Sequence, residues 1–460
     1  MELRAPRGMQ DVLPDHTGRW QQVEARMHDL ARRSGYREIR TPIVEHTEVF
    51  QRGVGAGTDI VDKEMYTFQD RGGRSVTLRA EGTAPVMRAF LEHNLGASGL
   101  PVRVYYICPI FRYDRPQAGR YRQHTQFGAE VIGSPEPAAD AEVLSLAVRL
   151  VERLGLRNFQ VHLSSVGDAT CRPGYIEALR DYYRPRLGGL CEDCQRRFDT
   201  APMRLLDCKR EGDRAVAANA PRILDYLCDP CREHFRGVQV CLQAMRIPYV
   251  VDPLIVRGLD YYTRTAWEAV SQALGAQNVV FGGGRYDGLA EQLGGKPTPG
   301  VGFGMGVERL LLVLDAEGAV PSSEQPPDVF VAAVPAGTPS LTEQGRAAAL
   351  AVADRLRCEG LAAAADVMDR SLNAQMKVAN RLGVSFVLIL TDTGVALRNM
   401  AASKDEDLPV ASQWAHAALQ LEDEALDRLA ESVADRVRPA PPAPPAPRQP
   451  GREPGQGAVR

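Results

Sequence analysis

Between residues 102 and 132 the chain writes two strand-like runs joined by a loop too short for a helical crossover. No other feature limits its possible folds as much. In the first run Val102, Val104, Tyr106, Cys108 and Ile110 alternate onto one face. The stretch FRYDRPQAGRYRQHTQFGAEVIG, residues 111–133, then reads as strand end, arginine-rich loop and second strand, the latter over 126–132. Strands linked this closely pair antiparallel. Further strands are expected at 75–79 and 158–164, and YREIRTPIVE supplies another that Pro42 breaks. The expected architecture is an α+β domain built on a mainly antiparallel sheet with flanking helices, not a βαβ repeat.

Ahead of the sheet, Trp20, Val23, Met27 and Leu30 recur at helical spacing and the pattern stops at Gly35. From about 169 to 248 the strands give way to arginine-rich helices, which reads as a helical insertion. Near residue 320, VPSSEQPPD reads as a linker. It is followed by DVFVAAVPAG, a helix ending near Cys358, LAAAADVM, a helix over 372–382 and VSFVLILTD. That βαβαβ alternation predicts a separate small α/β domain over 323–436, after a first domain of 1–322. The proline-rich stretch from 437 to 460 cannot bury enough apolar surface to fold and is expected to be a disordered tail.

A formal net charge of −3 gives no global signal of polyanion binding, so any nucleic-acid contact must come from local basic clusters. The opening MELRAPRGMQDVLPD lacks the apolar core of a signal peptide, and no run of about 18 apolar residues occurs, so a cytoplasmic protein away from membranes is expected. Nine cysteines, an odd number, suit a reducing compartment better than a disulfide framework. Cys191, Cys194, Cys228 and Cys231 form two CxxC pairs with spacing suited to one four-thiolate structural Zn²⁺, Cys208 being an alternative ligand. Reduced thiols packed as small apolar residues are the other reading.

Arg112, Arg115, Arg120 and Arg122 crowd one loop, which fits a solvated hairpin as well as an anion site. In GVGFGMGVERLLLVL, residues 300–314, small residues alternate along a strand before an amphipathic helix that carries Arg309 in its first turns. Alone this fits tight packing or a nucleotide site. Together the two stretches resemble motifs 2 and 3 of class II aminoacyl-tRNA synthetases, and TPIVEHTEVF resembles motif 1. RAEGTAP at 79–85, VRGLDYYTRTAWE at 256–268 and GGGRYDGL at 282–289 narrow the resemblance to the histidyl-tRNA synthetases, from Pro6 to about Met400.

That resemblance implies ATP-dependent ligation of L-histidine to histidine tRNA through a histidyl-adenylate, with Mg²⁺ on the phosphates, by a homodimer whose interface includes motif 1. It implies that Glu81, Thr83 and Gln126 hold the α-amino group of histidine. Glu130 would take a ring N–H while Tyr262 faces the other nitrogen, with Tyr261 beside them. Arg257 and Arg112 would flank the α-phosphate as the catalytic pair, while Arg120 and Arg309 engage the outer phosphates and adenine. Asp260 either orients Arg257 or contacts substrate. The Gly282, Gly283, Gly284 run would bring backbone close to substrate or form a turn. Arg115, Gln117 and Arg122 would read the tRNA acceptor end. The α/β domain resembles an anticodon-binding domain, with Arg370, Gln375 and Lys377 as candidate contacts.

Two departures from the family pattern stand out. After LILTD the chain passes directly to TGVALRNM, where a longer acidic segment is usual. His124 stands where the family stacks a phenylalanine on adenine. Below its ordinary pKa of roughly 6.5 it would become a cation among Arg112, Arg120 and Arg122, which predicts a pH-dependent ATP affinity between about pH 7 and pH 6. The alternative identity is the non-catalytic regulatory subunit of ATP phosphoribosyltransferase, which is expected to lack the C-terminal domain and to have eroded motifs. Here Arg112, Arg257 and Arg309 are all in place.

Overall fold

The computed structural model describes every residue except 1–2, 56–57, 257, 274–278, 320–325, 334–342, 369, 392–393, 403, 408–417, 419–420 and 439–460, with no side chains described at 344 and 404–407. Arg257 and the proline-rich tail therefore lie outside the described residues. The chain divides into two compact units, Met1–Ser323 and Glu324–Arg460.

In the first unit eight strands lie in the order Arg37–Glu38, Val102–Phe111, Gln123–Ile132, Gly300–Gly306, Val279–Arg285, Thr263–Val270, Gln160–Gly167 and Val250–Val251. The inner pairings are antiparallel and the outermost on each side is parallel, as the short loop at the arginine hairpin foretells. One face carries Tyr105, Phe127, Ala129, Val131, Trp267, Phe281, Val301, Phe303 and Met305 into the main core. Helices Pro14–Arg33, Pro137–Arg153 and Val307–Ala316 cover that face. The first of these starts with Pro14 in its opening turn, where the missing N–H costs nothing, and ends with Arg32 and Arg33 against the negative end of the helix dipole.

The strand Val102–Phe111 is covered on both sides. Val104 and Tyr106 enter a second apolar cluster while Tyr105 enters the main one. Its expected alternation therefore separates two cores, not core from solvent. At the end of Val279–Arg285, the fully buried Arg285 donates through Nε to Asp140 at 3.1 and 3.2 Å, and His234 Nε2 lies 3.3 Å from the same carboxylate. This fastens the sheet to its covering helices, and removing one member of such a buried pair typically costs about 3–5 kcal/mol.

Between Gln160–Gly167 and Val250–Val251 run the helices Arg172–Tyr183, Glu192–Thr200, Glu211–Ala217 and Asp229–Ala244. They enclose a small cluster of their own that includes Tyr175, Leu179, Tyr183, Phe198 and Ile223. In the second unit the strands Ala363–Ala365, Val329–Ala333 and Phe386–Thr391 are parallel, with helices Glu343–Cys358 and Leu372–Leu382 as the connections. Gly394–Asn399 and Lys404–Asp407 then extend the expected βαβαβ sheet by two antiparallel strands. No described helix is long and apolar enough to cross a membrane.

Candidate active site

The second face of the sheet owes its shape to missing side chains. Gly302, Gly304 and Gly306 stand directly opposite Glu130, Gly128 and Gln126 in the antiparallel register, so these positions share one face. A Cβ at Gly302 would fall 1.5 Å from Glu130 Oε2, and one at Gly304 would fall 1.9 Å from Gln126 Nε2. The glycine strand is thus the floor on which two polar side chains lie flat. Tyr106 opposite Gly128 uses the same trick, crossing the bare glycine to bring its hydroxyl 3.2 Å from Glu130.

Over this floor opens a cavity of about 360 Å³. Its lining brings together Glu81, Thr83, Arg112, Arg120, His124, Gln126, Tyr261, Tyr262 and Arg309, which are spread over some 230 positions of sequence. Glu81 accepts the N–H groups of Thr83 and Ala84 at 2.7 and 2.5 Å, capping helix Thr83–Glu92, and the Tyr261 hydroxyl at 3.5 Å. Burial raises its pKa above the ordinary carboxyl value, against the pull of those N–H groups and of Arg112.

Glu130 is the residue expected to take a ring N–H. It is fully buried and sits behind the cavity wall, accepting hydroxyls from Thr83 at 2.8 Å, Tyr106 at 3.2 Å and Tyr286 at 2.6 Å. Burial pushes its carboxyl up to about 8, so it is largely protonated at neutral pH. A ligand ring then meets a hydroxyl-lined group that can donate as well as accept. The Tyr261 and Tyr262 rings lie 4.8 Å apart, and Tyr286 packs edge-on to Tyr261 at 5.7 Å. Tyr106 and Tyr286 were not among the expected site residues. Tyr106 carried a signal, because it shares its strand face with Cys108 and neighbours Glu130 across the ladder.

The cationic side of the cavity is anchored to backbone. Arg112 donates through Nε to Ala80 O at 2.7 Å, and Arg309 reaches Gly119 O at 2.9 Å and Val279 O at 2.9 Å. Arg120 pairs with Asp114 and lies 3.5 Å from Glu64. Burial pushes the His124 imidazole down to about 3, with Arg112 and Arg309 adding to the effect. It is therefore neutral across the range in which the sequence predicted titration, and the expected pH 6–7 response is corrected. Glu308, also on the lining, accepts the Thr125 N–H at 2.8 Å, and burial raises it to about 7.

Other expected residues fall elsewhere. The Gly282 to Gly284 run is strand, not turn; Gly282 lines the cavity, but a Cβ at Gly284 would strike the Tyr262 ring at 2.7 Å, so close side-chain packing is its reason. Asp260 sits against Gly55, with Arg204 and Arg172 as its nearby cations. In the arginine loop, Arg115 and Gln117 are exposed, while Arg122 folds back over the Tyr113 ring at 3.6 Å and donates to Asp114 O.

In the second unit Lys377 is exposed and Arg370 pairs with Asp366. Gln375 is fully buried, donating to Arg370 O at 2.9 Å, so it braces the loop and is no surface contact. The four-thiolate set is likewise corrected. Cys191 and Cys194 group with Cys208 and Asp213, whereas Cys228 and Cys231 group with Cys171 and Asp168.

Residues 8–310 match the family model described as histidyl-tRNA synthetase. The histidine–tRNA ligase of Caldanaerobacter subterraneus subsp. tengcongensis is 49% identical over 413 residues, covering 89% of this chain and 97% of that protein. The histidine–tRNA ligase of Moorella thermoacetica is 49% identical over 412 residues, covering 88% of this chain and 96% of that one. Among solved structures, apo histidyl-tRNA synthetase of S. aureus aligns with a TM-score of 0.74 at 36% identity, over 88% of this chain and 97% of the other. A Bacillus halodurans structure described as an ATP phosphoribosyltransferase regulatory subunit/histidyl-tRNA synthetase reaches a TM-score of 0.59 at 22% identity, a likeness of fold alone.

Proposed function

This chain belongs to the histidyl-tRNA synthetases, and on that footing we propose which of its side chains carry each step. The reaction is the ATP- and Mg²⁺-dependent ligation of L-histidine to its tRNA. What supports the assignment is one observation: a single cavity gathers the carboxylate of Glu81 beside Thr83 and Gln126 together with the guanidiniums of Arg112, Arg120 and Arg309. An amino acid and a nucleoside triphosphate carry the charges that such a cavity complements.

The α-ammonium of histidine pairs with Glu81, Thr83 and Gln126. Its ring lies toward Tyr262, with Tyr261 alongside and the Glu130 hydroxyl cage behind. The histidine carboxylate attacks the α-phosphorus of ATP, pyrophosphate leaves, and Arg112 stabilises the charge that grows on the phosphoryl oxygens. Arg257 is proposed for the opposite side of that phosphate by family resemblance. The nucleophile is already ionised, so no side chain need remove a proton. Arg120 and Arg309 hold the outer phosphates and His124 lies under adenine, while bound Mg²⁺ neutralises phosphate charge. A terminal tRNA hydroxyl then attacks the histidyl carbonyl and releases AMP.

Arg115, Gln117 and Arg122 face the acceptor end in this reading, with Arg122 first leaving the Tyr113 ring. Lys377 and Arg370 serve the anticodon side from an anticodon-binding second domain. A homodimer is proposed from the motif 1 resemblance, which Ile43 and Val44, both exposed apolar residues of that segment, support. Zinc is proposed as a structural resident of the helical insertion, since no cysteine lines the cavity.

The test is exchange of labelled pyrophosphate into ATP by the purified chain. Exchange that depends on histidine and on no other amino acid is expected; its absence would overturn the catalytic reading in favour of a regulatory paralogue. Replacing His124 with phenylalanine should lower KM for ATP several-fold, in line with ~0.5–1.5 kcal/mol for an aromatic pair. Because His124 is neutral well below pH 6, the ratio of the two KM values should be the same at pH 6 and pH 7. An unchanged KM for ATP would place His124 away from adenine.

A further inference from the structure

We infer that the helical insertion holds two separate zinc sites, each built from three thiolates and one carboxylate. The first consists of Asp168, Cys171, Cys228 and Cys231, the second of Cys191, Cys194, Cys208 and Asp213, and within each set the ligand atoms lie within 4.8 Å of one another. In each, a CxxC pair straddles a helix start. Cys191 precedes helix Glu192–Thr200 with Cys194 in its first turn, and Cys228 precedes helix Asp229–Ala244 with Cys231 in its first turn.

The spacings match a tetrahedral ion. Thiolates bound at the usual Zn–S length stand about 3.8 Å apart along a tetrahedron edge. Cys191 and Cys208 Sγ are 3.8 Å apart, and Cys171 and Cys231 Sγ are 3.9 Å apart. The carboxylates complete each figure, with Asp213 Oδ2 at 3.2 Å from Cys208 Sγ and Asp168 Oδ1 at 3.5 Å from Cys171 Sγ and 3.8 Å from Cys228 Sγ. Disulfides would need sulfurs at about 2.0 Å, and all these cysteines are free. Asp213 gives an independent indication. It is almost fully buried, and the Cys208 thiol at 3.2 Å and the Cys191 N–H at 3.1 Å hold its Oδ2 against the sulfurs, where a bound cation would meet an ionised oxygen.

Binding releases the thiol protons to solvent and changes no oxidation state. The first site ties the exit of strand Gln160–Gly167 to the start of helix Asp229–Ala244, closing the insertion at its root. Arg172, next to its ligand Cys171, donates to Tyr262 O at 2.5 Å, so that root also steadies one wall of the active cavity. The second site closes the chain between Cys191 and Asp213 inside the insertion.

Metal analysis of the full-length protein, purified without chelator and passed over a metal-free column, should give about two zinc ions per chain. Cys228→Ser and Cys194→Ser should each retain about one, because each disables a different site. One zinc or none in the wild type, or loss of both ions in either variant, overturns the inference, the latter in favour of a shared site. Should a variant fail to fold, X-ray absorption at the zinc edge of the wild type decides: an average shell of three sulfurs at ~2.3 Å and one oxygen at ~2.0 Å supports the assignment, and a pure sulfur shell overturns it.

Discussion

Arg112→Ala is expected to slow histidine-dependent pyrophosphate exchange by about 10²–10³-fold, the usual loss when one preorganised charge-stabilising donor is removed. The reasoning starts from its anchoring. The Nε bond to Ala80 O fixes the plane of the guanidinium before any substrate arrives, so little reorganisation is needed when charge develops on the phosphoryl oxygens. The effect should fall on kcat, with KM for histidine nearly unchanged, because the contact strengthens only in the transition state. Melting temperature should hold, since the side chain lines a cavity and supports no core. Arg112→Lys keeps the charge but loses the fork and the Nε anchor, and should recover only part of the rate. Exchange near the wild-type rate in Arg112→Ala would remove Arg112 from the chemistry.

The second large effect is expected at Glu81. Glu81→Gln removes the negative charge and, because the Thr83 and Ala84 N–H groups bond to different carboxylate oxygens, keeps an acceptor for only one of them. A charge-assisted hydrogen bond contributes about 1.5–3 kcal/mol, so KM for histidine should rise roughly 10- to 150-fold while KM for ATP stays put. The raised pKa adds a second signature. The folded wild type keeps its proton to higher pH than the unfolded chain, so this group's contribution to stability falls as pH rises from the ordinary carboxyl value of 4.5 through the raised one. Over the same interval wild-type affinity for histidine should improve as the carboxylate forms. The glutamine variant should show neither trend. If KM for histidine is unchanged in Glu81→Gln, the side chain is only the cap of helix Thr83–Glu92.

The antiparallel sheet was legible because two local rules agreed, a period-two alternation at 102–110 and a loop too short for a crossover. Residues such as Glu81, Thr83 and Gln126 could be named from their motifs, although only the closed sheet brings them together. What escaped depends on three-dimensional neighbours. The CxxC spacing suggested one four-thiolate set but could not tell which cysteines meet, because that depends on how the intervening helices fold. The ordinary pKa of imidazole misled at His124, where burial and two guanidiniums decide the matter. Gln375 did carry a readable signal, for it lies three after Leu372 and four before Ala379, on the buried stripe of its helix.

The glycine floor has a consequence for how this sequence can drift. On the helix-covered face of the sheet, volume can be traded between neighbours, and swaps such as Val301 for isoleucine with compensation elsewhere lie within reach of gradual change. On the other face there is nothing to trade. At Gly302 and Gly304 any added carbon overlaps Glu130 or Gln126, and no partner substitution can make room without deleting the group that the pocket exists to present. The same seven-residue strand thus evolves under two regimes, negotiable at Val301, Phe303 and Met305 and closed at Gly300, Gly302 and Gly304, so lineages can diverge in how the enzyme is held together while the floor of the cavity stays the same.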